Sequence, residues 1–288
     1  MKLTTQNAVK GLLLVLPVMA GFLLLYAVPF ALVLSNASCW GVGQMRSWVG
    51  LDNLRRLLGN DLFRLAFRNT MKFLLVGIPL LLVLAYALAL VLKKYALRFR
   101  AVRSVLLLPY ILPMVGAVIL VELILGEAGF LNRLALSLEL PVRDWLHSDF
   151  AFWAAVALYL WKNTGYGVIL LLSGLAAIDQ EQYGAARLDG ADGWQQFRFI
   201  TVPQMWYSVY FTAVFSLINA FKCFREVFLL GGSHPHDSIY MLQHFINNTF
   251  QNLNYPKLAG ASTVLFLVMT VLFALCYGWV LKKEAFRE

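Results

Sequence analysis

Strongly apolar runs alternate with shorter polar intervals along the chain, at about 11–34, 71–92, 104–125, 150–175, 205–230 and 258–280. A membrane-crossing helix needs about 20 mostly apolar residues, so the pattern predicts an all-α membrane protein of six transmembrane helices, a single transmembrane domain over 1–288. The first run exceeds the ~7–15-residue apolar region of a signal peptide and reads as an uncleaved span. A lipoprotein-type cleavage before Cys39 is disfavoured by Asn36 and Ser38. Pro109 and Pro113 predict kinks in the third span. The interval from Asn36 to about Asn69 is mixed, and Leu51, Leu54, Leu57 and Leu58 at helical spacing predict a short amphipathic helix on the bilayer surface.

The longest polar interval of the second half, Asp179–Pro203, carries two helix starts. Asp179 with Gln182, and Asp192 with Gln195, have the spacing of capping boxes. Gly190 is placed to end the first helix in a left-handed conformation, and Pro203 to open the next element. The second helix would carry Trp194, Phe197 and Ile200 on one stripe. Two short helices about a glycine bend, between two spans, make a docking element for a protein outside the bilayer.

Composition agrees with a bilayer as solvent: 60% of the 288 residues are hydrophobic, 14% are charged and the mean hydropathy is +0.70, against about 25% charged in a soluble domain. The net charge of +9 is scattered over loops without an aromatic-studded basic domain, which argues against nucleic acid. Its densest cluster, Lys93, Lys94, Arg98, Arg100 and Arg103, is expected to be cytoplasmic. Six spans then place both termini and residues 176–203 on that side. Cys39, Cys223 and Cys276 read as apolar fillers. His234, His236 and Asp237 read as a polar turn rather than a metal site. No G-x-x-x-x-G-K-[ST] loop is present to cradle a nucleotide.

Ala185, Ala186, Gly190, Ile200 and Pro203 stand at the spacings of an EAA loop: Glu-Ala-Ala, three residues, Gly, nine residues, Ile, one residue, Leu, Pro. Here the chain resembles the membrane subunits of bacterial ABC importers, with Asp189-Gly190-Ala191 as the frequent DGA variant. Gly184 stands where that family has Glu, and Val202 where it has Leu. VGLDNLRRLL, LAFRNT, RAVRSVLLLPYILP and LYLWKNTGYGVILLLSGLAAI extend the resemblance over nearly the whole chain, towards the branch handling maltose, raffinose and glycerol phosphate. The resemblance implies a permease subunit in the bacterial cell membrane, not an enzyme and without a cofactor of its own. ATP and Mg would belong to two separate ATPase subunits. It also implies a second permease of a different chain, an extracellular solute-binding protein, and a sugar as substrate. The ATPase contact would be a cytoplasmic coupling loop over 176–203, through Glu181, Gly184, Ala185, Ala186, Asp189, Gly190, Ala191, Phe197, Ile200 and Pro203. Glu181 either replaces the missing carboxylate one turn from Gly184 or is a first-turn acid favoured by the helix dipole.

Polar side chains inside spans are costly and point to function, with helix–helix contact as the competing role. Trp161, Lys162, Asn163, Thr164 and Tyr166 fall in the fourth run, Asn219, Lys222 and Arg225 in the fifth, and Glu122 in the third. Lys162 lies near mid-depth and needs a carboxylate, a carbonyl or water. Trp161 and Tyr166 offer flat faces for a sugar ring, and Asn163 and Asn219 offer hydrogen bonds; with Lys222 they are the candidate substrate path. An ion-coupled secondary transporter is the alternative, requiring charged partners at mid-membrane and usually an internal repeat.

Overall fold

The computed structural model describes residues 5–41, 47–98 and 100–284. The side chains of Lys94, Arg98 and Arg100, counted in the basic cluster, lie outside the described ones. The described chain is predominantly α-helical, with one two-residue antiparallel pairing, β1 (Cys39–Trp40) with β2 (Ser47–Trp48). The helices are α1 (Thr5–Phe22), α2 (Val28–Ala37), α3 (Asp52–Leu58), α4 (Asp61–Arg98), α5 (Arg100–Ile111), α6 (Met114–Leu125), α7 (Phe130–Ser137) and α8 (Phe150–Ala177). They continue as α9 (Gln180–Leu188), α10 (Gly193–Gln196), α11 (Val202–Gln204), α12 (Trp206–Lys222), α13 (Phe224–Gly231), α14 (Leu242–Gln251) and α15 (Tyr255–Glu284).

Among the described residues five helical stretches are long and apolar enough to cross a membrane: Lys10–Ala37, Asp61–Lys93, Met114–Ser137, Phe150–Ala177 and Tyr255–Gly278. The run at about 205–230 is instead divided at Cys223 into α12 and α13. The break is slight, because Cys223 keeps helical dihedrals and its N–H still donates to Asn219 O at 3.0 Å. The run at 104–125 is divided at Pro113, whose extended ψ of 143° ends the path of α5 and opens α6. Pro109 stays inside α5. The second span begins at Asp61, about ten residues ahead of its apolar run, because Asn60 Oδ1 caps Phe63 N at 3.0 Å.

Two π-helical segments, Leu23–Ala27 and Phe197–Thr201, each end two residues before a proline, Pro29 and Pro203. A proline has no N–H and its ring crowds the carbonyl four residues back. That carbonyl belongs to Leu25 or Phe199, inside the widened turn. The i→i+5 bonds Val28 N to Leu23 O and Val202 N to Phe197 O accommodate it.

The chain forms two compact units. One comprises 1–64 with 246–268 and the other 65–245 with 269–288. In the first, Phe30 packs on Phe266 at 4.5 Å, and Leu54 and Leu57 lie over Gly260. Asn53 Nδ2 donates to Ala37 O and Cys39 O at 3.1 and 2.7 Å, tying α3 to the preceding segment. Of the four leucines expected on one helical face, Leu57 is buried and Leu54 half-buried in α3, whereas Leu58 and the preceding Leu51 are exposed. Leu12 through Leu25 expose most of their apolar surface, as expected of a helix solvated by lipid.

In the second unit, Phe73, Leu81, Ala85 and Ala89 repeat down one face of α4 and pack with Phe152, Ala155, Val156 and Tyr159 of α8. Leu171, Leu175, Met205 and Leu217 close this core. Gly165 permits the approach of α5 to α8, since a Cβ there would overlap the carbonyl of Leu106. At one end, Asn69 donates to the carbonyls of Asp237 and Tyr240, and Thr70 Oγ1 accepts from Leu242 N at 2.8 Å. Asn132 holds the loop after α7: its amide donates to the carbonyls of Gly126, Glu127 and Arg143, and its carbonyl accepts from Arg143 N and Trp145 Nε1. His236 Nδ1 accepts from Ser238 N, which makes GGSHPHDS a capped turn.

His244 on α14 is fully buried. Its Nδ1 accepts from Met241 N at 3.1 Å, its ring meets Phe224 edge-on at 4.7 Å, and its Nε2 has no hydrogen-bond partner among the described residues. Burial, helped by the charge of His234, pushes this imidazole down to about 4 from 6.5. The unfolded chain then takes a proton below pH 6.5 that the folded chain refuses until about pH 4. Stability is complete above pH 6.5 and falls by roughly 3 kcal/mol as pH drops through that window. Thermal unfolding in detergent between pH 7 and pH 4.5 should show this loss, and His244→Phe should remove most of it. An equal acid sensitivity in His244→Phe would assign it to other groups.

Candidate functional site

Lys162 is the thirteenth of the 28 residues of α8, close to the middle of a spanning helix. Its Nζ meets Glu226 Oε1 of α13 at 2.6 Å, with only 13% and 11% of the two side chains exposed. Burial of an unpaired lysine at such depth is costly, and Glu226 supplies the counter-charge. The second oxygen, Glu226 Oε2, is buried without a hydrogen-bond partner among the described residues.

This pair borders a cavity of about 260 Å³ that is also lined by Tyr110, Tyr159, Asn163, Asn219, Lys222 and Arg225. Tyr159 is fixed by donating from its hydroxyl to Ser216 O at 2.8 Å, and Asn163 Nδ2 donates to Tyr159 O at 2.8 Å. Asn219 is buried, whereas Lys222 and Arg225 are exposed. The cavity combines aromatic edges, two amides and a positive balance of charge. It can hold a polar solute through hydrogen bonds and ionic contacts.

Of the five residues expected on the substrate path, Asn163, Asn219 and Lys222 lie at this cavity and the other two do not. Trp161 is 40% exposed and turned away, as two residues along a helix rotate about 200° from Asn163. Tyr166 lies one turn further on and stacks against Tyr110 at 4.8 Å and Phe215 at 4.6 Å. Its ring is engaged by its own chain, and Tyr110 lines the cavity in its place. Glu226 and Tyr110 were not anticipated. The need of Lys162 for a carboxylate was a usable signal, with Glu226 beside Arg225 in the same apolar run. Glu122, in contrast, is exposed on α6.

The second candidate surface is the segment after α8. Asp179 caps α9, but through Glu181 N at 3.0 Å rather than through a box with Gln182. The Gln182 side chain is instead bonded to Gln204. Gly190 has φ +83°, and the bonds Ala191 N to Ala186 O and Gly190 N to Arg187 O close α9 in a Schellman turn. Asp192 and Gln195 form the reciprocal capping box of α10 at 2.7 and 2.9 Å. Tyr183 Oη and Thr201 Oγ1, 2.8 Å apart, tie α9 to the segment 197–201, and Phe197 meets Tyr86 at 6.2 Å.

This bracing leaves Glu181, Gly184, Ala185, Asp189 and Gly190 exposed, and Ala186, Ala191, Phe197, Ile200 and Pro203 half-buried. Leu188, Trp194 and Phe199 are 91%, 69% and 72% exposed, an apolar edge unusual for a polar segment. Of the stripe expected from Trp194, Phe197 and Ile200, the rings of Trp194 and Phe197 lie together at 5.5 Å, with Trp194 at the exposed rim and Phe197 and Ile200 half-buried.

Among known proteins, the chain is 32% identical over 281 residues to the lactose transport system permease protein LacF of Rhizobium radiobacter, covering 93% of this chain and 92% of that one. It is 28% identical to the trehalose/maltose transport system permease protein MalF of Thermococcus litoralis, over 84% and 82% of the two chains. A solved bacterial ABC transporter, involved in import of the acidic polysaccharide alginate, superposes with a TM-score of 0.79 over 92% of this chain and 93% of that chain at 22% identity. The family described as the binding-protein-dependent transport system inner membrane component matches residues 81–283. That span holds both the cavity and the doubly capped segment after α8, and the chain belongs to this family of transport permeases.

Proposed function

We propose that this chain is the membrane-spanning permease subunit of an ATP-driven importer, forming with a second, different permease the path for an oligosaccharide. The observation that carries the reading is the braced segment Gln180–Gln204, with its bare apolar edge, in the same chain as a polar cavity at mid-membrane. The relatives named for lactose and for trehalose/maltose support a sugar. The solved complex with a periplasmic protein bound to an alginate pentasaccharide supports delivery by a solute-binding protein. Both termini and the segment 176–203 lie on the cytoplasmic side in this reading. Two ATPase subunits there would bind ATP and Mg and grip the segment through the residues from Glu181 to Pro203. Nucleotide drives transport only by binding one conformation of the pair better than the other. A segment that is capped at both helix starts passes that difference on as a rigid body.

Copurification with an ATPase and vanadate-sensitive uptake of an oligosaccharide in proteoliposomes test this function. The buried Lys162–Glu226 pair is a feature that an ion-coupled transporter would share. Uptake indifferent to vanadate and dependent on a proton or sodium gradient would favour that alternative.

The carboxylate at the docking face is separable. Glu181 is exposed, Gly184 has open space around it, and the two lie three positions apart on α9. Glu181→Ala is expected to reduce coupled ATP hydrolysis, and Gly184→Glu to restore it in the double variant. Unchanged hydrolysis and ATPase association in Glu181→Ala would show that Glu181 is only a first-turn acid.

A further inference from the structure

The charges around the mid-membrane cavity do not cancel. Lys162 and Glu226 neutralise each other at 2.6 Å. Lys222, the last residue of α12, and Arg225, three positions on in α13, border the same cavity. Among the described residues neither has a carboxylate within 4.0 Å. Cations at membrane depth are retained where a ligand, a partner or a water-filled path compensates them.

We propose that the transported solute is an acidic saccharide, carrying a carboxylate or phosphate held by Lys222 and Arg225. This rests on the permease reading above and narrows it to a charge class. A guanidinium offers a planar fork to either anion and an ammonium a mobile point charge, so the two together accept an acidic group without fixing one orientation. Asn163 and Asn219 are placed at the same cavity to hydrogen-bond sugar hydroxyls. Lys162 has a defined part: by pairing with Glu226 it removes the one negative charge lining the cavity that would repel the solute. The volume of about 260 Å³, just below the ~300–1,000 Å³ of sites for drug-sized ligands, suits one sugar unit at a time.

The test uses the assembled transporter with its binding protein in proteoliposomes, with ATP inside or out as orientation requires. Uptake is compared for neutral probes (lactose, maltotriose), uronate probes (di- and trigalacturonate) and a phosphate probe (glucose 6-phosphate). An acidic probe should be taken up in preference to the neutral ones. Lys222→Gln with Arg225→Gln should lower its uptake about tenfold or more, as expected for loss of charge-assisted hydrogen bonds. The charge-keeping Lys222→Arg should retain the preference for the acidic probe that the Gln double variant loses. ATP-driven uptake confined to neutral probes overturns the charge class and leaves the permease reading standing. So does a Gln double variant that releases the second permease, which would assign the two cations to carboxylates across the subunit contact. Absence of ATP-driven uptake for every saccharide removes the permease reading, and the inference with it.

Discussion

Glu226→Ala is expected to destabilise the protein by about 3–5 kcal/mol, because Lys162 would remain buried without its counter-charge. The cost is of the uncompensated charge rather than of the bond. Replacing both partners, as Lys162→Met with Glu226→Leu, should therefore recover most of the stability, since a buried pair exchanged for apolar residues of similar volume is often neutral. Thermal unfolding in detergent separates these outcomes. A double variant as unstable as Glu226→Ala would mean that the loss comes from packing at α13. Where the double variant folds, uptake measurements then report what the pair contributes to the solute path alone.

Gly165→Ala is expected to cost about 3 kcal/mol, at the upper end of overpacking. The added Cβ overlaps the backbone carbonyl of Leu106, which unlike a flexible side chain cannot swing aside, so α5 must move off α8. The same substitution at Gly184 gives the opposite sign. That glycine lies within α9, has no heavy atom within 4 Å of an added Cβ, and should gain about 1 kcal/mol from helix propensity. Unfolding midpoints of the two variants relative to the parent decide the matter. An unaltered midpoint in Gly165→Ala would show that the helices do not approach as closely as described.

Much of the fold was legible because the bilayer imposes a coarse rule. A length of apolar chain must satisfy its backbone groups internally, so a run such as 150–175 can only be a helix. The rule does not locate helix ends. Asn60 extends the second span to Asp61 through a single cap, and no apolar pattern marks that. Nor does it separate a proline that ends a helix from one that sits within it. Pro113 does the first and Pro109 the second, although both lie in one run.

For the segment after α8, local chemistry carried far. Asp192 with Gln195, and Gly190 at φ +83°, act on neighbours within a few residues, so their spacing alone determined the turn and the second helix start. Asp179 departed from the pattern because Gln182 had a partner 22 residues away in Gln204, which no local reading contains. The cavity shows the same division more strongly. The sequence by itself marked Lys162, Asn163, Asn219 and Lys222 as polar groups inside long apolar runs, because position can be counted in residues along such runs. Only the tertiary structure decided which of them meet. The 2.6 Å contact of Lys162 with Glu226 spans 64 positions, and the withdrawal of Tyr166 behind Tyr110 depends on where α5 crosses α8. The physical reason is that depth in a bilayer is set by position along one helix, whereas a pairing partner is set by the packing of two.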